Sequence, residues 1–206
     1  MLLGDAPEPE CLREQRQSGN NWYNLPGQCK QAVRRRLSEI QQGMCIYCER
    51  RRQGEQFHTE HLRSQTAHDE NTLDWGNLSL SCEGEFHSCG HQKGKKFLPV
   101  SPQDFSQAYP FRVMSDGTMK PKEDDKQLVS LLQIVNLNGE APRDLNLRNL
   151  RGSLFEGLLE SLTEPPDLSQ QQCVAIAHEF WQQRGCPSTA MSVLEACGME
   201  QPAEAE

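Results

Sequence analysis

Residues 45–96 read CIYCERRRQGEQFHTEHLRSQTAHDENTLDWGNLSLSCEGEFHSCGHQKGKK. Chemically capable side chains are concentrated here in a fixed order. In that order they are the pair Cys45 and Cys48, the dipeptide Glu60-His61, Asn77, the pair Cys82 and Cys89, then His91 and Lys93. Paired cysteines that bracket an acid-histidine dipeptide indicate a metal-stabilised site, and the rest of the chain is interpreted around it.

The cysteine pairs predict a structural zinc site. Cys45 and Cys48 are three positions apart, and two thiolates at that spacing in a tight turn can share one tetrahedral ion. A hairpin between the pairs would bring Cys82 and Cys89 to the same ion, which would supply folding energy to a small core. His87 and His91 are lower-ranked substitutes for a cysteine ligand. The other cysteines are expected to be small buried apolar side chains: Cys11, Cys29, Cys173, Cys186 and Cys197.

Glu60-His61 is the candidate catalytic pair. Histidine titrates close to neutral pH and can take a proton from water, while an adjacent carboxylate can hold a hard divalent cation. Asn77 can orient His61 or bind the metal. Taken alone, His61 also fits a surface histidine in a polar hairpin, and Asn77 fits a turn residue. The surrounding cysteine frame favours the catalytic interpretation.

The net charge of −8 is unevenly distributed. Residues 29–98 hold 11 Lys and Arg against 9 Asp and Glu, so the acidic excess lies in the flanks. A locally basic centre is compatible with phosphate binding at one site. The predicted nucleic-acid contacts are Lys93, Lys95, Lys96, Arg50, Arg51 and Arg52.

Periodicity gives a coarse order of elements. Residues 1–25 are expected to be a partly extended lead-in, followed by a helix over 28–42, strands over 56–62 and 77–81, and a short helix from Gly90. Asp104 is predicted to cap a short helix, and Asp116-Gly117 to form a hairpin turn. Leucine-rich helices are predicted over 124–137, 145–162, 169–183 and 188–197.

The stretch resembles HNH endonucleases, and more narrowly the HNH proteins of Septu and retron antiphage defence systems. The resemblance covers roughly residues 22–155. It is carried by CIYCE at 45–49, EHL at 60–62, LDWGNL at 73–78, Ser81-Cys82, and Cys89-Gly90 with Lys93-Gly94. Weaker features are Pro99 to Pro102, the Phe111 hairpin with Gly117, and Leu137-Asn138 with Leu147 and Arg151.

The resemblance implies metal-dependent phosphodiester hydrolysis, with His61 activating water and Mg²⁺ or Mn²⁺ as the catalytic ion. Many HNH cores place Asn or His directly after the last cysteine as a metal ligand, whereas this chain has Gly90. Either His91 takes that role, or Glu60 and Asn77 hold the ion together with Glu49. The resemblance also implies a complex with an ATPase similar to ABC or SMC heads.

The sequence thus predicts an α+β protein, with a zinc-stapled ββα-metal core embedded in helical flanks. The expected divisions are a lead-in and helix (1–43), the core (44–98), a hairpin and helical region (99–200) and a disordered tail (201–206). We expect a cytoplasmic protein without a membrane span or signal peptide. Two alternatives remain open: an RNA-cleaving HNH effector and a non-catalytic zinc-binding adaptor.

Overall fold

The computed structural model describes residues 6–51, 57–65, 72–82, 87–105, 110–139, 145–164 and 167–199. Within them the protein is α+β, with two antiparallel hairpins among helices. The predicted tail over 201–206 and the predicted contact Arg52 lie outside the described residues. None of the helices in the described ranges is long and apolar enough to cross a membrane.

The expected extended lead-in is wrong, because helix α1 (Glu10–Gln17) occupies this region. Leu12 is its one buried residue, so the apolar face of α1 is too narrow to indicate a helix from the sequence. Cys11 is joined to Cys29 by a disulfide. This pairing corrects the expectation that both cysteines are free thiols acting as small buried apolar side chains, and it ties α1 to helix α2 (Gly27–Ile40).

Strands β1 (Phe57–His61) and β2 (Leu78–Cys82) form an antiparallel hairpin, within a residue of the predicted bounds. A 3-10 turn over Trp75–Asn77 leads into β2. Helix α3 (Cys89–Lys93) follows, and both α2 and α3 pack on β2. The hairpin is thus held between two helices.

A second hairpin consists of β3 (Phe111–Val113) and β4 (Met119–Pro121). Gly117 makes its turn with a φ of +77°, and a Cβ there would lie 1.8 Å from the carbonyl oxygen of Arg148. Glycine is therefore required both by the backbone conformation and by the close approach of the next helix. Asp104 lies in a 3-10 turn over Pro102–Phe105, and the short helix that it is predicted to cap would fall on residues outside the described ranges.

The C-terminal region consists of helices α4 (Lys126–Ile134), α5 (Leu145–Thr163), α6 (Gln170–Arg184) and α7 (Pro187–Ala196). Helices α5, α6 and α7 pack on one another, and α7 also packs on β3. One apolar core continues from the first hairpin into these helices. The helical region therefore covers the core that carries the candidate site.

Candidate functional site

The four predicted zinc ligands come together. The sulfur atoms of Cys45, Cys48, Cys82 and Cys89 all lie within 4.8 Å of one another, and all four side chains are buried. Cys48 Sγ is 3.5 Å from Cys82 Sγ, which is 3.6 Å from Cys89 Sγ. Four ligands at a zinc–sulfur distance of about 2.3 Å have sulfurs about 3.8 Å apart. The cluster therefore fits a structural metal such as zinc.

The cysteine cluster also has the electrostatics of a metal site. Burial opposes ionisation of Cys45, but hydrogen bonds from the other three thiols outweigh it and hold the pKa of Cys45 well below its usual value. The pKa values of Cys48 and Cys89 are raised, with the interaction with Cys45 as the largest cause. One negative charge is therefore favourable in the cluster, and further ones require a cation.

The turn that carries the first cysteine pair is closed by its own backbone. The Cys45 amide donates to the Arg50 carbonyl at 3.0 Å, and the Glu49 amide donates to the Cys45 carbonyl at 3.0 Å. The Cys82 amide donates to Cys45 Sγ at 3.4 Å, which links the turn to the end of β2. These bonds hold the sulfurs at the positions that an ion requires.

Glu60 is buried, and donors engage both of its carboxylate oxygens. Oε1 accepts from Lys93 Nζ at 2.7 Å and from the Tyr47 hydroxyl at 3.2 Å. Oε2 lies 3.1 Å from His58 Nε2. Burial alone would raise the pKa of Glu60, but the hydrogen bond from His58 and the charge of Lys93 outweigh burial and lower it. Glu60 is therefore a carboxylate at neutral pH.

Lys93 does not lie where a phosphate contact would need it. Its side chain is 2% exposed, and its ammonium also donates to the His61 carbonyl at 2.8 Å. This placement argues against the predicted nucleic-acid role, because α3 packs Lys93 inward against the end of β1. Lys93 instead fixes the carboxylate of Glu60 and the backbone of His61.

His61 is the last residue of β1 and is 5% exposed. Its Nε2 lies 3.0 Å from the Thr72 carbonyl, which can only accept, so Nε2 carries the proton. Nδ1 is then the basic nitrogen, and Gln65 Nε2 lies 2.7 Å from it. The Trp22 ring meets the imidazole edge-on at a centroid distance of 5.1 Å.

Burial lowers the pKa of His61 to about 4. The ring is therefore a neutral base at pH 7.

Asn77 is buried and holds the backbone next to His61. Its Oδ1 accepts from the Arg63 amide at 2.7 Å, and its Nδ2 donates to the Arg63 carbonyl at 3.2 Å. The Leu62 amide also donates to the Asn77 carbonyl at 3.0 Å. These contacts fix the backbone that directly follows His61.

The structure gives a physical reason for glycine at position 90. A Cβ there would lie 2.3 Å from Glu60 Oε2 and 2.7 Å from His58 Nε2. The position directly after the last cysteine thus has no room for a side chain. His91, one residue later, is exposed, and its ring centroid lies 5.0 Å from that of His58.

His58 was missed by the sequence analysis. It alternates with Glu60 along β1, and side chains two residues apart on a strand share a face. That alternation was an available signal. The strand itself is predicted over 56–62, but residue type alone does not pair His58 with Glu60, because the contact depends on how α3 packs on the hairpin.

Glu49, a predicted alternative metal ligand, has a different role. Its Oε1 accepts from the Ser188 hydroxyl at 2.6 Å, and its Oε2 accepts from the Ser188 amide at 2.9 Å. Ser188 lies in the first turn of α7. Because both oxygens are used to cap this helix, the structure argues against Glu49 as a ligand of the catalytic ion.

The remaining predicted nucleic-acid contacts fall into two groups. Lys95 and Lys96 are exposed just after α3, where they can reach a phosphate. Arg50 and Arg51 are half-buried beside the cysteine turn, and the Arg51 guanidinium donates to the Gln42 carbonyl. The two lysines are therefore the better placed contacts.

No model of a known protein family matches the chain. The chain is 26% identical over 99 residues to a protein of Vibrio cholerae serotype O1 biovar El Tor that is named as a candidate HNH endonuclease of retron Vc95. The match covers 45% of this chain and 48% of the relative, so the chain spans about half the length of the curated relative that it matches. This distant similarity supports a relationship to HNH endonucleases.

Proposed function

We propose that the protein is a metal-dependent HNH endonuclease that hydrolyses phosphodiester bonds, with DNA as the expected nucleic acid. The observation that carries the proposal is the pair at the end of β1. His61, whose Nε2 is held by the Thr72 carbonyl so that Nδ1 is the basic nitrogen, directly follows Glu60, a buried carboxylate beside the helix that the cysteine cluster anchors. The hairpin and α3 would then form a zinc-stapled ββα-metal core.

In this proposal each residue has a distinct task. The Thr72 carbonyl fixes the Nε2 proton of His61, so Nδ1 is the nitrogen that takes a proton from water. Asn77 holds the backbone after the base, and Lys93 orients Glu60. A divalent ion, Mg²⁺ or Mn²⁺, bound at Glu60 would stabilise the charge that develops on the phosphate. Lys95 and Lys96 would bind the flanking backbone.

We further propose that the protein is the effector subunit of a bacterial antiphage defence complex with an ATPase similar to ABC or SMC heads. The name of the distant relative places that protein with a retron, and the HNH proteins that this chain resembles act in such systems. The acidic, leucine-rich helical region is the proposed partner surface. Co-purification with the ATPase encoded beside it tests this part, and a persistent monomer would contradict it.

A non-catalytic zinc-binding adaptor is the second candidate function. It is favoured by the environment of His61, whose two ring nitrogens are both hydrogen-bonded and whose side chain is 5% exposed. An adaptor would keep the cysteine cluster and leave His61 as a structural residue.

One experiment separates these functions. Purified protein, alone and with its ATPase, is incubated with labelled DNA and RNA in Mg²⁺, in Mn²⁺ and in EDTA. The nuclease proposal expects metal-dependent cleavage that His61→Ala abolishes. Cleavage of RNA in place of DNA would support the RNA-cleaving effector. Cleavage that is unchanged in His61→Ala, or absent from every mixture, would overturn the assignment of His61 as the base.

A further inference from the structure

His58, Glu60 and His91 form a cluster on one face of the first hairpin. His58 and Glu60 share this face because they alternate along β1, and His91 reaches it from α3. Within the described residues the cluster is less compact than the cysteine cluster, since the rings of His58 and His91 are 5.0 Å apart. His91 is exposed, and its ring meets that of His58 edge-on at this face.

The spacing of His58 and Glu60 matches that of two ligands of one ion. His58 Nε2 and Glu60 Oε2 are 3.1 Å apart. Two ligands at right angles, each about 2.1 Å from a metal, are about 3.0 Å from each other. An ion bound between these two atoms would replace the hydrogen bond, with His58 binding it through Nε2.

The two oxygens of Glu60 have different surroundings. Oε1 already accepts from Lys93 and Tyr47, whereas Oε2 is directed toward His58 and the backbone of Gly90. A Cβ at position 90 would lie 2.3 Å from Oε2. The absence of a side chain at Gly90 thus preserves space beside Glu60 Oε2 and His58 Nε2.

The charge of the cluster bears on which ion it would bind. Lys93 lies 2.7 Å from Glu60 and offsets its negative charge, and imidazoles bound to a metal would add none. Mg²⁺ depends on carboxylate and water oxygens, whereas first-row transition metals accept imidazole nitrogens, Mn²⁺ the least strongly of them but more readily than Mg²⁺. A set of two imidazoles and one charge-balanced carboxylate therefore disfavours Mg²⁺.

We propose that His58 is a ligand of the divalent ion, together with Glu60 and His91, and that this set selects Mn²⁺ over Mg²⁺. The inference rests on the proposed nuclease function and identifies the ion of that same site. His58 side chain is 22% exposed, so the ion can enter from solvent. The alternative is a structural hydrogen bond between His58 and Glu60 that never opens to a metal.

The test is Mn²⁺ binding to the zinc-loaded full-length protein, followed by electron paramagnetic resonance. The variants are His58→Ala, His58→Gln and Gly90→Ala, with His178→Ala as the control, since His178 is an exposed histidine on α6. We expect wild type and the control to bind Mn²⁺ with coupling to imidazole nitrogen. Each of the three variants is expected to weaken binding by at least about tenfold. Mg²⁺ should displace Mn²⁺ only in large excess.

Zinc content and thermal unfolding identify variants that fail to fold. Gly90→Ala places a methyl group beside Glu60 Oε2 from the side of α3 and leaves His58 unchanged. It therefore tests the metal site independently of the His58 variants. Unchanged Mn²⁺ affinity and nitrogen coupling in His58→Ala and His58→Gln would overturn the inference, as would absence of Mn²⁺ binding to wild type. Cleavage in Mg²⁺ without Mn²⁺ binding would leave the nuclease standing and refute this inference. Mn²⁺ binding that depends on His58, without any cleavage, would support this inference and contradict the nuclease function.

Discussion

Lys93 Nζ lies 2.7 Å from Glu60 Oε1, and both side chains are buried. The lysine approaches from α3 and the glutamate from β1, so this ion pair joins the helix to the strand that ends at His61. Lys93 also donates to the His61 carbonyl at 2.8 Å. The pair therefore sets the position of the candidate catalytic residues as well as their charge.

Lys93→Met is expected to destabilise the fold strongly. It would leave the Glu60 carboxylate buried without its cation, and removing one partner of a buried ion pair costs about 3–5 kcal/mol. Denaturant unfolding measures the loss. Lys95→Met is the matched control, because Lys95 is exposed and its replacement should change stability by less than about 0.5 kcal/mol. Equal losses in the two variants would contradict the structural role of Lys93.

The double variant Lys95→Ala and Lys96→Ala is expected to weaken nucleic-acid binding and its salt dependence. Each phosphate contact contributes roughly 0.9 to the slope of log K against log salt on duplex DNA, so the slope should fall by roughly 1.8. Filter binding across a salt series measures it. Lys120→Ala is the control, since Lys120 is exposed on β4 of the other hairpin. An unchanged slope would remove both lysines from the interface.

The sequence predicted those parts of the site that depend on residue type and local spacing. The cysteine pairs, the Glu60-His61 dipeptide and both strands of the first hairpin could be recognised in this way, because each has a short-range pattern. The partners of Glu60 could not, since Lys93, Tyr47 and His58 meet it only after α3 and the cysteine turn have packed on the hairpin.

The errors in the fold have similar causes. Helix α1 buries one leucine and joins α2 through Cys11 and Cys29, so its stability comes from a partner distant in sequence. From the sequence, Glu49 is a carboxylate beside the cysteine turn and therefore a candidate metal ligand. Its use as a cap depends on Ser188, which is 139 residues away.

Stability should fall in mild acid because of His61. The pKa of His61 is lowered by burial from 6.5 to about 4, so its contribution is fully present above pH 6.5 and is lost as pH falls toward 4. At pH 5 the lost stabilisation amounts to about 2 kcal/mol. The free energy of unfolding is measured at pH 7.5 and at pH 5, without added divalent ion. Its fall between the two pH values should be smaller in His61→Gln than in wild type by about 2 kcal/mol. Equal differences in the two proteins would show that His61 has an ordinary pKa.

Gln65→Ala is expected to speed cleavage. The Gln65 amide lies 2.7 Å from Nδ1 of His61, so it occupies the nitrogen that water must reach. Removing a hydrogen bond worth about 1 kcal/mol that must break before reaction should raise the rate about fivefold. Single-turnover cleavage of labelled DNA measures it, with His61→Ala as the inactive reference. A fall of tenfold or more would mean that Gln65 orients the water instead of covering the base.

Ser188→Ala is expected to loosen the cysteine turn as well as α7. The Ser188 hydroxyl and amide both donate to Glu49, and the Cys186 amide donates to the Glu49 carbonyl at 2.8 Å. Loss of the hydroxyl leaves a half-buried carboxylate oxygen with one donor fewer, at a cost of about 1 kcal/mol. Because Glu49 directly follows Cys48, the turn should open more often, and a chelator should remove zinc faster.

Ser161→Ala is the control for Ser188→Ala, since the Ser161 hydroxyl donates to the Gly157 carbonyl on an exposed face of α5. Identical zinc-release rates in the two variants would show that α7 does not support the metal site.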